Sequence, residues 1–365
     1  GLTTVIVLVL VVVGFIRGLE KTLEVSGDPQ TAIFFAMGMG ENLEYSSIPM
    51  RSAELVASSN RGIQKHYGQK YVSPELYLGT QVKIPSTGET GYRETLGLVR
   101  GVTDPVLLVR NQIEIETGHW PEANQVIVGK LAAAKLGIPA QSLRIGKTIL
   151  MENREWEIVG QFSGGGSALE SEIWCRLDDL QQAMKRQDLS LVALSLSPEG
   201  DFADLELFCK QRLDLELQMM PETRYYDLLQ RDYRPVRWLA WLVVSLVIGS
   251  GLFAGLNTMY GAVVGRIAEL SMLRTVGFGR RAIAISLVQE GMILSISASL
   301  IACVLAITWI NGIAVQFTMG AFQLEIDHLT ILIGCLVGMV LGILGAIPPA
   351  LKAFNLQIVE GIRTV

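Results

Sequence analysis

Charge is what this sequence has least of. Only 18% of its 365 residues are Asp, Glu, Lys or Arg, against about one quarter in ordinary soluble chains. Half are hydrophobic and the mean hydropathy is +0.39, which excludes a single soluble domain and a disordered chain alike. Histidine is scarcer: His66, His119 and His328 stand far apart, without metal-ligand spacing. There is no His-Glu-x-x-His, so a membrane metalloprotease has no support. Of the four cysteines, Cys303 and Cys335 fall in apolar runs and read as packing residues. Cys175 and Cys209 lie in a polar region, where a disulfide and two buried free thiols are equally open.

Catalytic motifs are also missing. Gly146–Lys147–Thr148 looks like the end of a phosphate-binding loop, but Gln141 stands where its first glycine belongs. The run Gly164-Gly-Gly-Ser-Ala-Leu169 approaches a nucleophile elbow and closes on Leu169 instead of glycine. It reads as a flexible turn. With no convergent nucleophile, base or metal set, a membrane-anchored enzyme is disfavoured.

What is present is a partition. From Gly18 to Val236 there are 30 acidic and 22 basic residues; the rest of the chain holds 5 and 8. An acidic polar part argues against nucleic acid, which calls for clustered Lys and Arg. About 20 apolar residues cross a bilayer as a helix. Trp238–Gly265, Gly291–Leu324 and Leu329–Leu351 carry no Asp, Glu, Lys or Arg at all, and predict spans at 238–262, 284–310 and 329–350. Leu2–Ile16 is a further apolar run. A signal-peptide core has similar length, but no basic segment precedes this one. It reads better as a first span, 1–17, whose start is trimmed. Arg266, Arg274, Arg280 and Arg281 load the 263–283 loop with positive charge, which places that loop and the C-terminus in the cytoplasm and the 18–236 insert outside.

Within the insert, β-branched or alternating stretches predict strands at 31–37, 75–84, 95–102, 147–151, 155–162 and 191–197. Three- and four-residue spacing predicts helices at 129–136, 178–186, 202–212 and 223–231, the last running on towards Pro235 and the second span. The spans hold almost no polar side chains, which disfavours a self-sufficient solute carrier. Glu290 is their one acid. Pairing with Arg280, Arg281 or another polar neighbour near the cytoplasmic interface accounts for it better than a proton relay does.

The most informative stretch is 265–277. Ile267, Leu270, Leu273 or Arg274 and Val276 recur at helical spacing, Arg266 and Glu269 fall on another face, and Gly277 and Gly279 end the helix. A short cytoplasmic helix fused to two spans suits force transmission from a partner; a plain interfacial anchor is the alternative.

These residues carry a resemblance. Arg266–Gly277, Gln289-Glu-Gly291, Pro348-Pro-Ala-Leu-Lys-Ala353 and Ile358-Val-Glu-Gly-Ile-Arg363 are similar to the FtsX-like permease family, the membrane subunit of ABC transporters of the MacB and LolC/LolE type. Asn124–Lys130 and Glu155–Gly160 resemble the MacB-type periplasmic core. The resemblance implies a four-span α-helical permease with a large α+β extracytoplasmic domain between the first and second spans, in a bacterial inner membrane. It has no ATPase domain, so ATP and magnesium belong to a separate ABC ATPase, and the chain itself carries no cofactor. A second permease subunit is implied, a periplasmic adaptor is allowed, and lipid surrounds the spans. Arg266, Glu269, Leu270, Leu273, Arg274 and Gly277 match the family's coupling motif. The implied work is export or extraction of a lipid, lipoprotein, peptide or drug. The alternative is a cargo-free complex that controls a cell-wall hydrolase or signalling partner outside.

Overall fold

The computed structural model describes residues 1–40, 42–85, 91–317 and 320–355; the 358–363 motif lies outside them. The chain divides into two compact units, one of residues 1–18, 234–313 and 324 onward, the other of 19–233 with 314–323.

The first unit is helical. Helix α1 (Leu2–Ser26) begins in it and continues into the second unit. The apolar run stops at Ile16, yet the helix goes on for ten residues. Leu19, Thr22, Leu23 and Ser26 keep a buried stripe there at three- and four-residue spacing. The helix thus runs past the span expected at 1–17, because loss of hydrophobicity is not loss of helix.

The second unit is built on ten strands: β1 (Thr31–Ala36), β2 (Val72–Pro85), β3 (Tyr92–Val102), β4 (Glu114–Gly118), β5 (Gln125–Gly129), β6 (Thr148–Met151), β7 (Arg154–Ser163), β8 (Glu172–Arg176), β9 (Leu191–Ser195) and β10 (Leu217–Pro221). They pair in the order β10-β1-β9-β2-β3-β8-β5-β7-β4. β6 joins β7 to the far end of β2, so six strands close on themselves. Trp156 and Trp174 fill the two largest fully buried positions in this unit. Helix α2 (Arg51–Ser59), the short α3 (Val106–Val109) and α4 (Ala132–Lys135), then α5 (Leu177–Met184), α6 (Phe202–Gln211) and α7 (Glu222–Asp232) decorate the strands. The helix predicted over 129–136 shrinks to α4, because β5 runs through Gly129. A side chain there would meet the Glu170 carbonyl at 2.1 Å. Cys175 and Cys209 are both buried free thiols, which decides that open choice. Burial pushes both thiols up, Cys209 to about 11.

The helix predicted from 223 towards Pro235 breaks at Tyr233, and α8 (Arg234–Gly265) starts anew. Helices α9 (Ile267–Thr275), α10 (Arg280–Leu305) and α11 (His328–Asn355) follow. Among the described residues, α1, α8, α10 with its 306–310 extension, and α11 are the four helices long and apolar enough to cross a membrane. Between the last two, β11 (Ala314–Phe317) and β12 (Gly320–Gln323) form a hairpin belonging to the second unit. Sequence reading treats that stretch as the end of an apolar run and a loop.

At the start of α11, Asp327 accepts hydrogen bonds from the Thr330 amide (2.8 Å) and hydroxyl (2.6 Å), and Arg17 of α1 donates to its other oxygen at 2.8 Å. Burial opposes ionisation, but Thr330 and Arg17 outweigh it and hold the Asp327 carboxyl at about 2. Because this value lies below the ordinary 3.8, the stabilisation is present above pH 3.8 and is lost as pH falls towards 2. Asp327→Ala removes a helix cap and a part-exposed ion pair, together about 1–2 kcal/mol. Thermal unfolding in detergent at pH 7 should show that loss, and the gap from the parent should close in strong acid.

Candidate coupling segment

Helix α9 sits between two spans and ends in a turn that only its sequence makes easy. The Phe278 amide donates to the Leu273 carbonyl (3.1 Å) and the Gly277 amide to Arg274 (3.2 Å), with Gly277 at φ +109°. That left-handed closure strains any residue with a Cβ. Arg266 flanks the other end of the helix. Its guanidinium donates to both oxygens of Glu290 on α10, at 3.1 and 3.4 Å. Arg266 is therefore the polar neighbour that explains the acid in the span. It ties the beginning of α9 to α10, while Gly277 and Phe278 close its end.

The two faces of α9 differ. Ile267, Leu270, Ser271 and Arg274 are turned inward at helical spacing, with Leu270 against the cluster of Val263, Ile283, Leu287 and Ala350. Glu269, Met272, Leu273 and Val276 are outward. Leu273 is 42% exposed and Val276 74%, and Phe278 extends the same apolar surface. Of the apolar residues at helical spacing, Leu273 and Val276 are therefore on the exposed side and Ile267 and Leu270 on the covered side. Of the residues matching the coupling motif, Arg266, Leu270 and Arg274 turn to the protein's own helices. Glu269 and Leu273 face outward, and Gly277 shapes the turn. Among the described residues no group of His, Cys, Asp and Glu could hold a metal.

A second constellation, in the strand-built unit, escaped sequence reading. Glu75 of β2, Arg100 of β3, Arg110 after α3, Glu172 of β8 and Glu222 of α7 are all buried. Arg100 grips Glu172 with two bonds of 2.6 Å, donates a third to Glu75, and lies 4.4 Å over the Tyr77 ring. Arg110 donates twice to Glu75 (3.1 Å) and once to Glu222 (2.6 Å). The indole of Trp174 donates to Glu172 at 2.7 Å. Burial works against the charge on Glu75, but both guanidiniums overcome it and keep its carboxyl below the ordinary range. At Glu222 burial prevails over Arg110 and raises it. Nothing local in the sequence sets these charges apart, since the same three strands also carry Lys83, Arg93, Glu94 and Arg176.

Residues 1–206 match the family model of the MacB-like periplasmic core domain, and residues 241–358 that of the FtsX-like permease C-terminal domain. The chain is 22% identical over 380 residues to the uncharacterized ABC transporter permease YknZ of Bacillus subtilis (strain 168), covering 97% of this chain and 91% of the relative. Among solved structures, the periplasmic region of MacB from Actinobacillus actinomycetemcomitans is similar at 13% identity and TM-score 0.41, over 59% of this chain and 96% of that one. The extracellular domain of the noncanonic ABC-type transporter YknZ from Gram-positive bacteria gives 15% and 0.39, over 52% and 99%. The first family model alone takes in more than half of the chain, and the second begins just inside α8. The chain belongs to the MacB- and FtsX-type family of ABC transporter permeases, as a multi-pass membrane protein with an extracytoplasmic α+β domain.

Proposed function

We propose that this permease works by mechanotransmission. A separate ABC ATPase binds α9 from the cytoplasm, its ATP-driven closure displaces α9, and the spans carry that displacement to the extracytoplasmic domain. The observation that supports this reading is the outward apolar face of α9, Met272, Leu273 and Val276, on a helix bonded to α10 at its start and closed by its own turn at its end. Exposed apolar side chains on a short, rigid, non-spanning helix are what a docking surface presents. An interfacial anchor would fit the apolar face as well, but gives no reason to tie the start of α9 to α10 through Arg266 and Glu290.

On this reading ATP and magnesium are held by the partner, and this chain contributes no catalytic group. Two permease subunits assemble with two ATPases in a bacterial cytoplasmic membrane, with the C-terminus inside. The work outside is export or extraction of a lipid, lipoprotein, peptide or drug, a class of task that needs no polar path through the spans. Affinity purification of the chain from native membranes in mild detergent tests the partnership. An ABC ATPase should be recovered in equal amount; recovery of the permease with no ATPase would contradict the reading.

A further inference from the structure

Three segments lead the chain between the spans and the strand-built unit: the end of α1, helix α7, and the β11–β12 hairpin. Inside that unit all three border one small cavity. The Ser26 hydroxyl at the end of α1 accepts from the Ala168 amide at 2.8 Å, in the turn that follows the glycine run. Ser171, just past that turn, donates to the Ala321 carbonyl of the hairpin (3.1 Å) and accepts from its amide (2.7 Å). The first residue of α7, Glu222, is held by Arg110 and by the Asp28 amide at 3.2 Å. A cavity of about 30 Å³ marks the meeting point, bordered by Leu23 of α1, Tyr226 of α7, Phe317 of the hairpin, and by Arg100, Arg110 and Glu172. It has room for about two waters.

We propose that the Arg100–Arg110 ion cluster is a rigid joint. It fastens α7 to β2, β3 and β8 so that displacement arriving along the chain moves the strands as a block instead of peeling the helix away. The inference rests on the mechanotransmission reading and gives it a location. Apolar packing is non-directional and lets a helix slide by small steps. Paired guanidinium and carboxylate groups fix one geometry. Parting them inside a protein strands a charge, so the contact resists partial slippage. Arg110 is the pin of the joint, since among the described residues it is the one that bonds both Glu75 on the sheet and Glu222 on α7.

The test uses the full chain in lipid nanodiscs. In Arg110→Met/Glu222→Leu both charges of the outermost pair are gone, and Glu75 keeps Arg100. Amide exchange is then followed at Tyr225–Leu229 of α7 and at Leu78 and Val99 of the strands. In the parent, α7 should exchange at the slow rate of the strands. In the double variant α7 should exchange at least ~100-fold faster while the strands stay within about threefold. Unchanged protection of α7, or equal loss in helix and strands, would overturn the joint; so would an α7 that already opens independently in the parent. Should the double variant fail to fold, Glu222→Gln is read by the same two rates. A second readout concerns transmission itself: spin labels at Tyr67→Cys on the two permease subunits of the purified complex, with Cys335 replaced by Ser. If the parent's label distance responds to ATP and the double variant responds equally, the joint is wrong and mechanotransmission stands. If the parent does not respond, the broader reading fails first.

Discussion

Leu273→Asp is expected to sever the permease from its motor without disturbing the permease itself. Leu273 is 42% exposed and is not among the core residues that Leu270 packs against, so the substitution is expected to cost little core packing. Membrane insertion and the thermal midpoint should stay as they are. The cost falls on docking. Losing a central apolar anchor weakens an interface by about 2 kcal/mol or more, and a desolvated carboxylate adds to that. A loss of about 3 kcal/mol corresponds to roughly 100-fold weaker binding. Co-purification of the ATPase should drop accordingly, and stimulation of its turnover by the permease should vanish. Leu270→Asp makes the contrast: Leu270 packs against Ile283 and Leu287, so this change should destabilise the helical unit as well. If Leu273→Asp retains the ATPase and its stimulated turnover in full, α9 is not the coupling element.

The largest effect on stability is expected at Arg100. Among the described residues, Arg100→Met leaves buried Glu172 with the Trp174 indole as its remaining donor, and Glu75 with Arg110. Removing one partner from a buried ion pair costs about 3–5 kcal/mol. For a unit of this size that is a fall of roughly 10 °C or more in its thermal midpoint, read as loss of the strand signal in circular dichroism. Glu75→Gln is the informative companion. It leaves two guanidiniums facing two carboxylates, Arg100 with Glu172 and Arg110 with Glu222, so charge still balances. Its cost should be clearly smaller. Equal losses in the two variants would mean that packing volume, not charge pairing, holds this part of the core.

The spans were legible because a long stretch without ionisable groups suits little besides the core of a bilayer, and both ends of α9 because Arg266 and Gly277 have local jobs. Helical spacing marks Leu273 and Val276 as part of an amphipathic segment, but which of its apolar residues stay exposed depends on how α9 packs, and that is set by residues far away in sequence. The ion cluster was hidden differently. Glu75, Arg100 and Glu172 each look like a solvent-facing position in an alternating strand. Only pairing of β3 with both β2 and β8, which sets Arg100 opposite Tyr77 and Trp174, brings them into contact. Strand register is a long-range outcome, and no local window contains it. The same holds for Ser171 and Ala321, 150 residues apart and joined by two hydrogen bonds.

The claim on which the rest depends is that ATP on a partner moves the extracytoplasmic domain of this chain. Tyr67 is 97% exposed on that domain and is a suitable label site. In the purified complex with its ATPase, the distance between Tyr67→Cys labels on the two permease subunits should shift between the nucleotide-free and ATP-trapped states, and should not shift when the ATPase is absent. Identical distance distributions in the two states of the intact complex would contradict the account.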